Sequence, residues 1–290
     1  MNRSIGPVAV RLIDAPEAMR AVEALQRIVW PGSDVDVVPA HLLLTAAHNG
    51  GLVAGAYVEG RLAGFAFGFL GWDATSRPPH LKHCSHQLGV HPDYRNLGLG
   101  FALKRFQWQF VRAQGLDRVT WTCDPLLARN AQLNIAKLGA VCNIYLRDVY
   151  GELRDGLNAG LPTDRFQVDW WVNSERVLAL MRDEPVPRRR LADYLDVGAA
   201  WINPPPPFGA STPPGEPSSW REGEGSDLLL KIPDDFLALK ASDPALALTW
   251  RLRTRMAFEA LFARGYAVTD FVEGAVYVLS KPRPSPKEQP

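Results

Sequence analysis

The stretch from His86 to Gly100 reads HQLGVHPDYRNLGLG, and it organises the rest of the chain. Its first part predicts a strand that ends at Pro92, because proline has no backbone N–H to donate to a sheet. Its second part is a loop with two glycines, Gly98 and Gly100, that leads into a predicted helix over residues 101–114. The first amides of a helix have no internal partner, and together with the helix dipole they attract phosphate oxygens. The stretch therefore predicts a phosphate-binding strand–loop–helix unit.

Three phosphate-loop patterns, and a plain glycine-rich turn, compete for this loop. A P-loop requires Gly-Lys-Ser/Thr at the helix start, and here Gly100 is followed by Phe101 and Ala102. A dinucleotide fingerprint requires three glycines and has no preceding arginine. The third pattern is Arg/Gln-x-x-Gly-x-Gly/Ala after a strand that ends Val-x-Pro. At every defined position it matches Val90-His91-Pro92 and Arg95-Asn96-Leu97-Gly98-Leu99-Gly100. These residues resemble motif A of the GNAT (Gcn5-related) N-acyltransferase superfamily, which binds the pyrophosphate of acyl-coenzyme A.

The order of the predicted elements extends this resemblance. A strand at 7–13, helices at 16–29 and 38–48, and a hairpin at 52–70 precede the motif, as in a GNAT unit. Further elements follow at 118–123, 129–138, 144–150 and 165–172. The fold implied is α/β (α+β), with a GNAT-like mixed central sheet flanked by helices. We place this catalytic domain at residues 1–172.

Residues 173–290 are predicted to form a C-terminal α/β extension. Asp243 and Pro244 predict the start of a long helix to about residue 264, between a strand and a hairpin. This order is similar to half of a GNAT unit but lacks Arg-x-x-Gly-x-Gly, so we expect it to bind no coenzyme. Residues 203–225 are rich in proline and predict a linker or surface loop, and residues 281–290 predict a disordered tail.

Composition limits the classes of function. The chain has 290 residues, of which 47% are hydrophobic and 22% charged, as in a water-soluble globular protein. A net charge of +1 gives no general attraction to nucleic acid or to anionic membranes. Three cysteines predict no disulfide framework, and no signal peptide or membrane span is recognisable. We therefore expect a cytoplasmic protein without nucleic-acid or membrane partners, and a homodimer stays open.

The resemblance implies a coenzyme site around the motif. It implies that residues Arg95, Asn96, Leu97, Gly98, Leu99 and Gly100 bind acetyl-CoA or another acyl-CoA as cosubstrate. It also implies that the amides of Leu88 and Val90 face the thioester, where the central strand separates from its neighbour. Asn130, followed by the ending Lys137-Leu138-Gly139-Ala140, is similar to a later family element, Asn…Tyr-x-Lys-Leu-Gly-Phe, which implies that Asn130 also binds the coenzyme.

His86 is the first candidate for the general base, because the ordinary pKa of histidine lies near neutral pH. A hydrogen-bonded structural histidine is the alternative. Strand alternation places His86 on one face with Cys84, Leu88 and Val90. Asp124, which follows the next strand, is a second candidate as base or as ligand of the substrate ammonium. Its carboxylate could instead cap the turn at Pro125.

The general acid is the uncertain part of the predicted mechanism. In the family a tyrosine four positions before the later glycine often protonates the leaving thiolate, and here that position is Ile135. Tyr145 and Tyr150 lie nearby in sequence, and Tyr145 is the candidate we name. For both tyrosines the alternative to a catalytic role is packing in the hydrophobic core.

Two further groups have polar side chains that could bind ligands. The cluster of His80, His83, Cys84, His86 and His91 suggests a metal, but the alternation and spacing predict no site. Arg251 and Arg255 lie four residues apart on the long C-terminal helix, with Glu259 one turn later. They could form a guanidinium fork for a carboxylate of the acceptor or acyl group, or an exposed face with a weak ion pair.

The function predicted is an acyl-CoA-dependent N-acyltransferase (EC 2.3.1.-). It would move an acetyl or succinyl-type group to a primary amine of a small molecule, with an amino acid as the favoured acceptor. The favoured acceptor follows from a narrower resemblance. A bacterial branch of GNAT proteins with a C-terminal extension, linked with N-acylamino acid metabolism, is similar to the runs 124–131, 138–140, 150–152 and 160–164. The alternatives are a non-catalytic acyl-CoA sensor, suggested by the missing tyrosine, and a transferase acting on a protein lysine or N-terminus.

Overall fold

The computed structural model describes residues 8–32, 34–74, 76–151, 160–182, 184–203, 213–215 and 227–281, with only the backbone at position 35. These residues divide into two compact units. The first comprises the described parts of 8–121 and 170–182, and the second comprises 122–151, 160–169 and the described residues from 184 onward. The boundary placed by sequence between 172 and 173 stays a prediction. Most of the Pro-rich stretch 203–225 and of the tail 281–290 lies outside the described residues.

The first unit contains the elements predicted around the motif. They are β1 (Val8–Leu12), α1 (Pro16–Val29), α2 (Ala40–His48), β2 (Leu52–Val58), β3 (Arg61–Asp73), β4 (His80–Val90), α3 (Leu99–Ala113) and β5 (Arg118–Cys123), whose last two residues fall in the second unit. Single 3₁₀ turns lie at Asp34–Asp36 and Pro92–Tyr94. Most of these bounds agree with the predicted ones to within two residues, because each follows a clear apolar period and a Gly or Pro stop signal.

The sheet of this unit has the order β1-β2-β3-β4-β5. Its pairs are antiparallel except β4–β5, which is parallel. Helices α1 and α2 pack on one face, where their core residues include Met19 and Leu43 together with Phe67 of β3. Helix α3 packs on the other face through Leu99 and Leu103. The motif-bearing strand therefore lies inside the sheet, between two apolar layers.

A β-bulge at His86 changes the alternation of β4. In the β3–β4 register Phe67 pairs with Gln87 and Gly68 pairs with Ser85, which leaves His86 as the extra residue. A bulge inserts one unpaired residue and re-aims the side chains beyond it. The residues after His86 therefore point to the sheet faces opposite to those that a regular strand would give them.

In the part of the chain that the structure describes, strands β4 and β5 pair at two positions. The described parallel register joins His83 to Val119 and Cys84 to Thr120. Strand β4 then continues for six more residues to Val90 without a further pair to β5. The two strands thus part at Ser85, next to the bulge, as the family resemblance implies.

The second unit contains most of the remaining elements. They are α4 (Ala128–Ala131), a π-helical turn (Gln132–Lys137), β6 (Val141–Leu146), β7 (Arg165–Trp171), α5 (Glu175–Met181), α6 (Leu191–Asp196), β8 (Ala200–Asn203), β9 (Asp227–Lys231), α7 (Phe236–Ser242), α8 (Pro244–Ala263), β10 (Ala267–Val272) and β11 (Val276–Ser280). The end of β7 and the whole of α5 belong to the first unit.

The sheet of the second unit has the order β7-β6-β10-β11-β9-β8 and is antiparallel except at β8–β9. The predicted start of α8 is confirmed, since the Asp243 carboxylate accepts from the Leu246 amide at 2.9 Å and Pro244 follows it. The apolar side of α8 packs in an aromatic cluster with Phe166, Phe258 and Tyr277. The chain has the predicted mixed α/β fold, with largely antiparallel sheets flanked by helices and a C-terminal extension of further strands and helices.

Candidate active site

The loop from Asn96 to Phe101 presents unpaired backbone donors. Gly98 is the N-cap of α3, with a left-handed φ of 77° and no side-chain cap. The first amide bonded back to this cap is that of Ala102, 3.0 Å from the Gly98 carbonyl oxygen. Within the described chain, no backbone carbonyl accepts from the amides of Asn96 to Phe101. Since a Cβ built on Gly98 would meet no atom within 4 Å, these donors lie beside open space, as phosphate oxygens require.

The segment before this loop is held by its own turn. The Arg95 amide donates to the Pro92 carbonyl at 3.2 Å, and His91 Nδ1 accepts from the Asp93 amide at 3.2 Å. The Arg95 side chain is exposed beyond this turn. A cation next to unpaired amides suits a pyrophosphate, so the residues present fit the coenzyme that the motif implies.

A cavity of about 420 Å³ lies on the α1–α2 face of the sheet. Its walls are Val38, Leu42, Thr45, Ala46 and Asn49, together with Phe67, Phe69 and His86. The His86 ring contacts Phe67 edge-on, with centroids 5.6 Å apart, and Phe69 at 5.8 Å. The candidate base is therefore part of the wall of an apolar pocket.

This environment favours neutral His86. The residue is exposed to solvent, but its apolar neighbours partly desolvate the charged form and lower the pKa of His86 below the ordinary value of 6.5. Within the described chain neither ring nitrogen of His86 has a hydrogen-bond partner. At neutral pH the imidazole is thus unprotonated, as a base needs to be.

The expected shared face of His86, Leu88 and Val90 is wrong. Leu88 and Val90 pack with the α3 residues Leu99 and Leu103, whereas His86 contacts Phe67 on the opposite face. The bulge is the physical reason, since it shifts the alternation by one residue. The amides of Leu88 and Val90 lie on the part of β4 beyond its pairing with β5, and their role as oxyanion donors stays a prediction.

A buried lysine lies where β4 and β5 part. Lys104 of α3 is 2% exposed, and its ammonium donates to Ser85 Oγ at 2.8 Å and to Gln107 Oε1 at 3.0 Å. The same ammonium lies 3.7 Å from the ring centroid of Trp121. Ser85 and Trp121 are the first residues of β4 and β5 after their last pair. The lysine therefore contacts both strands at the point of separation.

His83 extends this network as a buried neutral histidine. Gln107 Nε2 lies 3.1 Å from His83 Nε2, and since Gln107 Oε1 accepts from Lys104, its NH₂ group donates to the imidazole. The ring is fully buried, and burial, followed by the Lys104 charge, lowers its pKa to about 3.

This burial predicts loss of stability in acid. Between about pH 6.5 and 3 the unfolded chain binds a proton at His83 that the folded chain does not, so the free energy of unfolding falls as pH falls. The contribution approaches about 1.4 kcal/mol per pH unit for one proton. Urea denaturation at several pH values between 7 and 4 measures the free energy of unfolding. This free energy should fall less steeply with falling pH for His83→Gln than for the wild type. The same pH dependence in both proteins would contradict the assignment of His83 as a buried neutral histidine.

Asp124 has a partner within the second unit. Its carboxylate accepts two hydrogen bonds from the Arg251 guanidinium, at 2.9 and 2.5 Å, and one from the Leu126 amide at 2.8 Å. Arg165 lies 3.8 Å away, and the Arg251 side chain is 2% exposed. These contacts give Asp124 and Arg251 structural roles and argue against a catalytic carboxylate and a substrate-binding arginine.

Arg255 and Tyr145 also have internal partners. The Arg255 guanidinium donates twice to Asp164, at 2.8 Å each, and the Tyr145 hydroxyl donates to the same carboxylate at 2.8 Å. Burial, and then the Asp164 charge, raise the pKa of Tyr145 well above its ordinary value. These contacts argue against Arg255 as a substrate ligand and against Tyr145 as the general acid.

The remaining predicted residues lie on separate elements. Asn130 is half-buried on α4, and Ile135 is 1% exposed in the π-helical turn, so the position of the usual tyrosine is a core position. Tyr150 is half-exposed, with its hydroxyl 2.7 Å from Thr122 Oγ1. Within the described residues no group of three His, Cys, Asp or Glu side chains could hold a metal ion, and no helix could cross a membrane.

Sequence reasoning missed two parts of this site. It missed the α2 wall of the pocket, which Leu42, Thr45 and Asn49 contribute from one helical face. It also missed Lys104 and Gln107. Lys104 lies four residues before Trp108, and Gln107 lies four residues after Leu103, so both fall on the apolar face of α3. Polar residues at such positions were the signal that could have found them.

A comparison of the whole sequence with protein families finds a match over the residues that form this site. The profile of the Acetyltransferase (GNAT) family matches residues 17–139, from α1 through the pocket and the loop to Gly139. The chain carries a GNAT acetyltransferase domain. This GNAT domain contains His86, the apolar pocket, the parted strands and the open loop.

Solved GNAT structures resemble parts of the chain. A GNAT acetyltransferase from Desulfovibrio desulfuricans is 19% identical, and the alignment covers 57% of this chain and 99% of that one with a TM-score of 0.44. An acetyltransferase from Salmonella typhimurium with its cofactor acetyl-CoA is 16% identical, over 63% and 99%, at 0.45. The ribosomal-protein-S18-alanine N-acetyltransferase from Escherichia coli is 16% identical, over 58% and 96%, at 0.42. At these values they indicate nothing about the acceptor of this chain. No curated protein matches the sequence.

Proposed function

We propose that the protein is an acyl-CoA-dependent N-acyltransferase that acetylates, or succinylates, a primary amine of a small molecule such as an amino acid. The observation that carries this proposal is that one GNAT domain combines an open donor loop with a neutral histidine. The loop provides the amides from Asn96 to Phe101 beside open space. His86 provides a partly desolvated imidazole in the wall of a cavity.

The chemistry follows from these groups. The amine attacks the thioester carbonyl, so a C–N bond forms and the C–S bond breaks. The proton of the amine passes to His86, and the oxyanion is stabilised by backbone amides of β4, with Leu88 and Val90 as the proposed donors. An alkyl thiol such as cysteine has a pKa of about 8.5, so the released thiolate takes its proton from water. A tyrosine at position 135 is therefore not required for turnover.

The loop assignment predicts the effect of Gly98→Val. A β-branched side chain would fill the space beside the loop amides and reduce affinity for coenzyme A. Each charge-assisted hydrogen bond that is lost costs about 1.5–3 kcal/mol, or about 10- to 100-fold in affinity. Calorimetric titration with coenzyme A measures this change.

Gly60→Val is the matched control for this experiment. Gly60 has a φ of 79°, close to the 77° of Gly98, and a Cβ at either position meets nothing within 4 Å. The backbone strain of valine is thus similar in both variants, and only Gly98 lies in the loop. Equal coenzyme affinities of the two variants would refute the loop assignment.

The activity itself is tested by thiol release from acetyl-CoA and from succinyl-CoA with a panel of amines. Release that requires an added small amine supports the proposal. Acetyl-CoA binding without amine-dependent release would instead identify a sensor. Release only with protein acceptors would identify a transferase for lysines or N-termini.

A further inference from the structure

The pocket beside His86 indicates the chemistry of the acceptor. We infer that the acceptor is a small primary amine that carries an apolar, uncharged side group, and that this side group fills the pocket while the amine nitrogen contacts His86. The inference rests on the proposed function, because it takes His86 as the group that receives the proton of the amine. It goes further by excluding amines with a polar or charged side group as good acceptors.

The walls of the pocket offer apolar surface and no ionised side chain. Val38, Leu42 and Ala46 contribute aliphatic carbon, and Phe67 and Phe69 contribute aromatic rings. The volume of about 420 Å³ lies in the range of small-molecule sites, about 300–1,000 Å³. A polar substituent would exchange water for walls that are mainly apolar carbon, which is unfavourable.

The two polar side chains of the helical wall already donate to their own helix. The Thr45 hydroxyl donates to the His41 carbonyl at 2.9 Å, and the Asn49 amide donates to the Thr45 carbonyl at 2.8 Å. Their oxygens can still accept a hydrogen bond, but among the three polar side chains of the wall only His86 can take up a proton near neutral pH. An amine placed at His86 projects its substituent between Phe69 and α2.

The pocket could hold either the side group of the amine or the acyl chain of the coenzyme, and the position of the base decides between them. A base must lie within hydrogen-bond reach of the nitrogen from which it takes the proton. A pocket that includes the base in its wall therefore receives the nucleophile and the group attached to it. An acyl chain is attached to the carbonyl instead, on the side of the parted β4 and β5 strands.

A pair of near-isosteric amines tests this inference. The amines 3-methylbutylamine and 3-aminopropanamide differ at one end, where two methyl groups replace the oxygen and nitrogen of an amide. With acetyl-CoA fixed, we expect kcat/KM for 3-methylbutylamine to be at least about tenfold higher, the scale on which apolar pockets discriminate. L-Leucine and L-asparagine, compared in the same way, should show the same order.

Leu42→Ser connects this preference to the pocket. Leu42 is 48% exposed on α2, so its replacement removes apolar wall without opening the core. The ratio of the two kcat/KM values should fall by about threefold to tenfold, while the affinity for acetyl-CoA stays the same. Ile28→Ser is the control, because Ile28 is also 48% exposed on a helix of this unit but lies outside the pocket.

The outcomes separate this inference from the proposed function. Equal use of both amines would overturn the acceptor class and leave the transferase standing. A preference that follows acyl-chain length at a fixed amine, and changes with Leu42→Ser, would assign the pocket to the acyl group and overturn the inference. Much faster transfer to a leucine-initiated peptide than to 3-methylbutylamine would overturn the small-molecule acceptor. Bound acetyl-CoA without release to any amine would overturn both.

Discussion

His86→Ala should lower kcat by about 10²–10⁴, the usual contribution of a positioned general base. The imidazole is held on a bulge between Phe67 and Phe69 and is neutral at working pH, so its removal leaves the amine without a proton acceptor in the pocket. The affinity for acetyl-CoA should change little, because the loop of Asn96 to Phe101 is a separate part of the domain. Steady-state kinetics with calorimetric binding measures both quantities.

The pH profile distinguishes a base from a structural histidine. Since apolar packing lowers the pKa of His86 below 6.5, wild-type kcat should be constant near neutral pH and fall at lower pH, as the imidazole gains its proton. The His86→Ala profile should lack this acidic limb. His41→Ala, an exposed histidine of α2 outside the cavity, should keep wild-type kcat and the limb. A His86→Ala variant with normal turnover across the pH range would remove His86 from the mechanism.

Asp124→Ala should lower the free energy of unfolding by about 3–5 kcal/mol, because it leaves the Arg251 charge buried without its carboxylate. The Arg251 side chain is 2% exposed, so water cannot replace the two lost hydrogen bonds. Chemical denaturation measures the change. A loss below about 1 kcal/mol would show that the pair is not the buried link the contacts indicate.

Glu259→Ala provides the matched control, because Glu259 lies on α8, the helix that carries Arg251. Glu259 accepts two hydrogen bonds from Arg147, at 2.6 and 2.7 Å, but the Arg147 side chain is 64% exposed. Breaking an exposed pair costs about 0–1 kcal/mol, because water solvates the freed charge. The double variant Asp124→Leu with Arg251→Met should recover part of the stability lost in Asp124→Ala, since it removes both charges.

The loop and the helix starts were readable from sequence because they depend on local backbone geometry. Gly98 adopts a φ of 77° and Asn96 a φ of 68°, conformations that glycine and asparagine adopt most readily. Asp243 caps α8 as predicted, and at the start of α5 the Ser174 hydroxyl accepts from the Val177 amide at 3.4 Å. Each such signal involves residues within a few positions of one another.

The two faces of β4 were not readable in the same way. A period of two assigns His86 to the face of Leu88 only if the strand is regular. The bulge depends on how β3 pairs beside it, with Phe67 opposite Gln87 and Gly68 opposite Ser85. The pocket that surrounds His86 also needs α2, which lies about forty residues earlier in the chain.

The sequence by itself determined the strand–loop–helix unit of the GNAT domain, its open amides and the choice of His86. Only the tertiary structure decided which charged groups are free to act. Arg251 and Asp124 are 127 residues apart, and Arg255 and Asp164 are 91 apart, yet each pair is joined by two hydrogen bonds. A guanidinium fits a substrate carboxylate and an internal one equally well. The partner of each guanidinium is therefore decided by packing between distant segments of the chain, which the pattern of neighbouring residues does not contain.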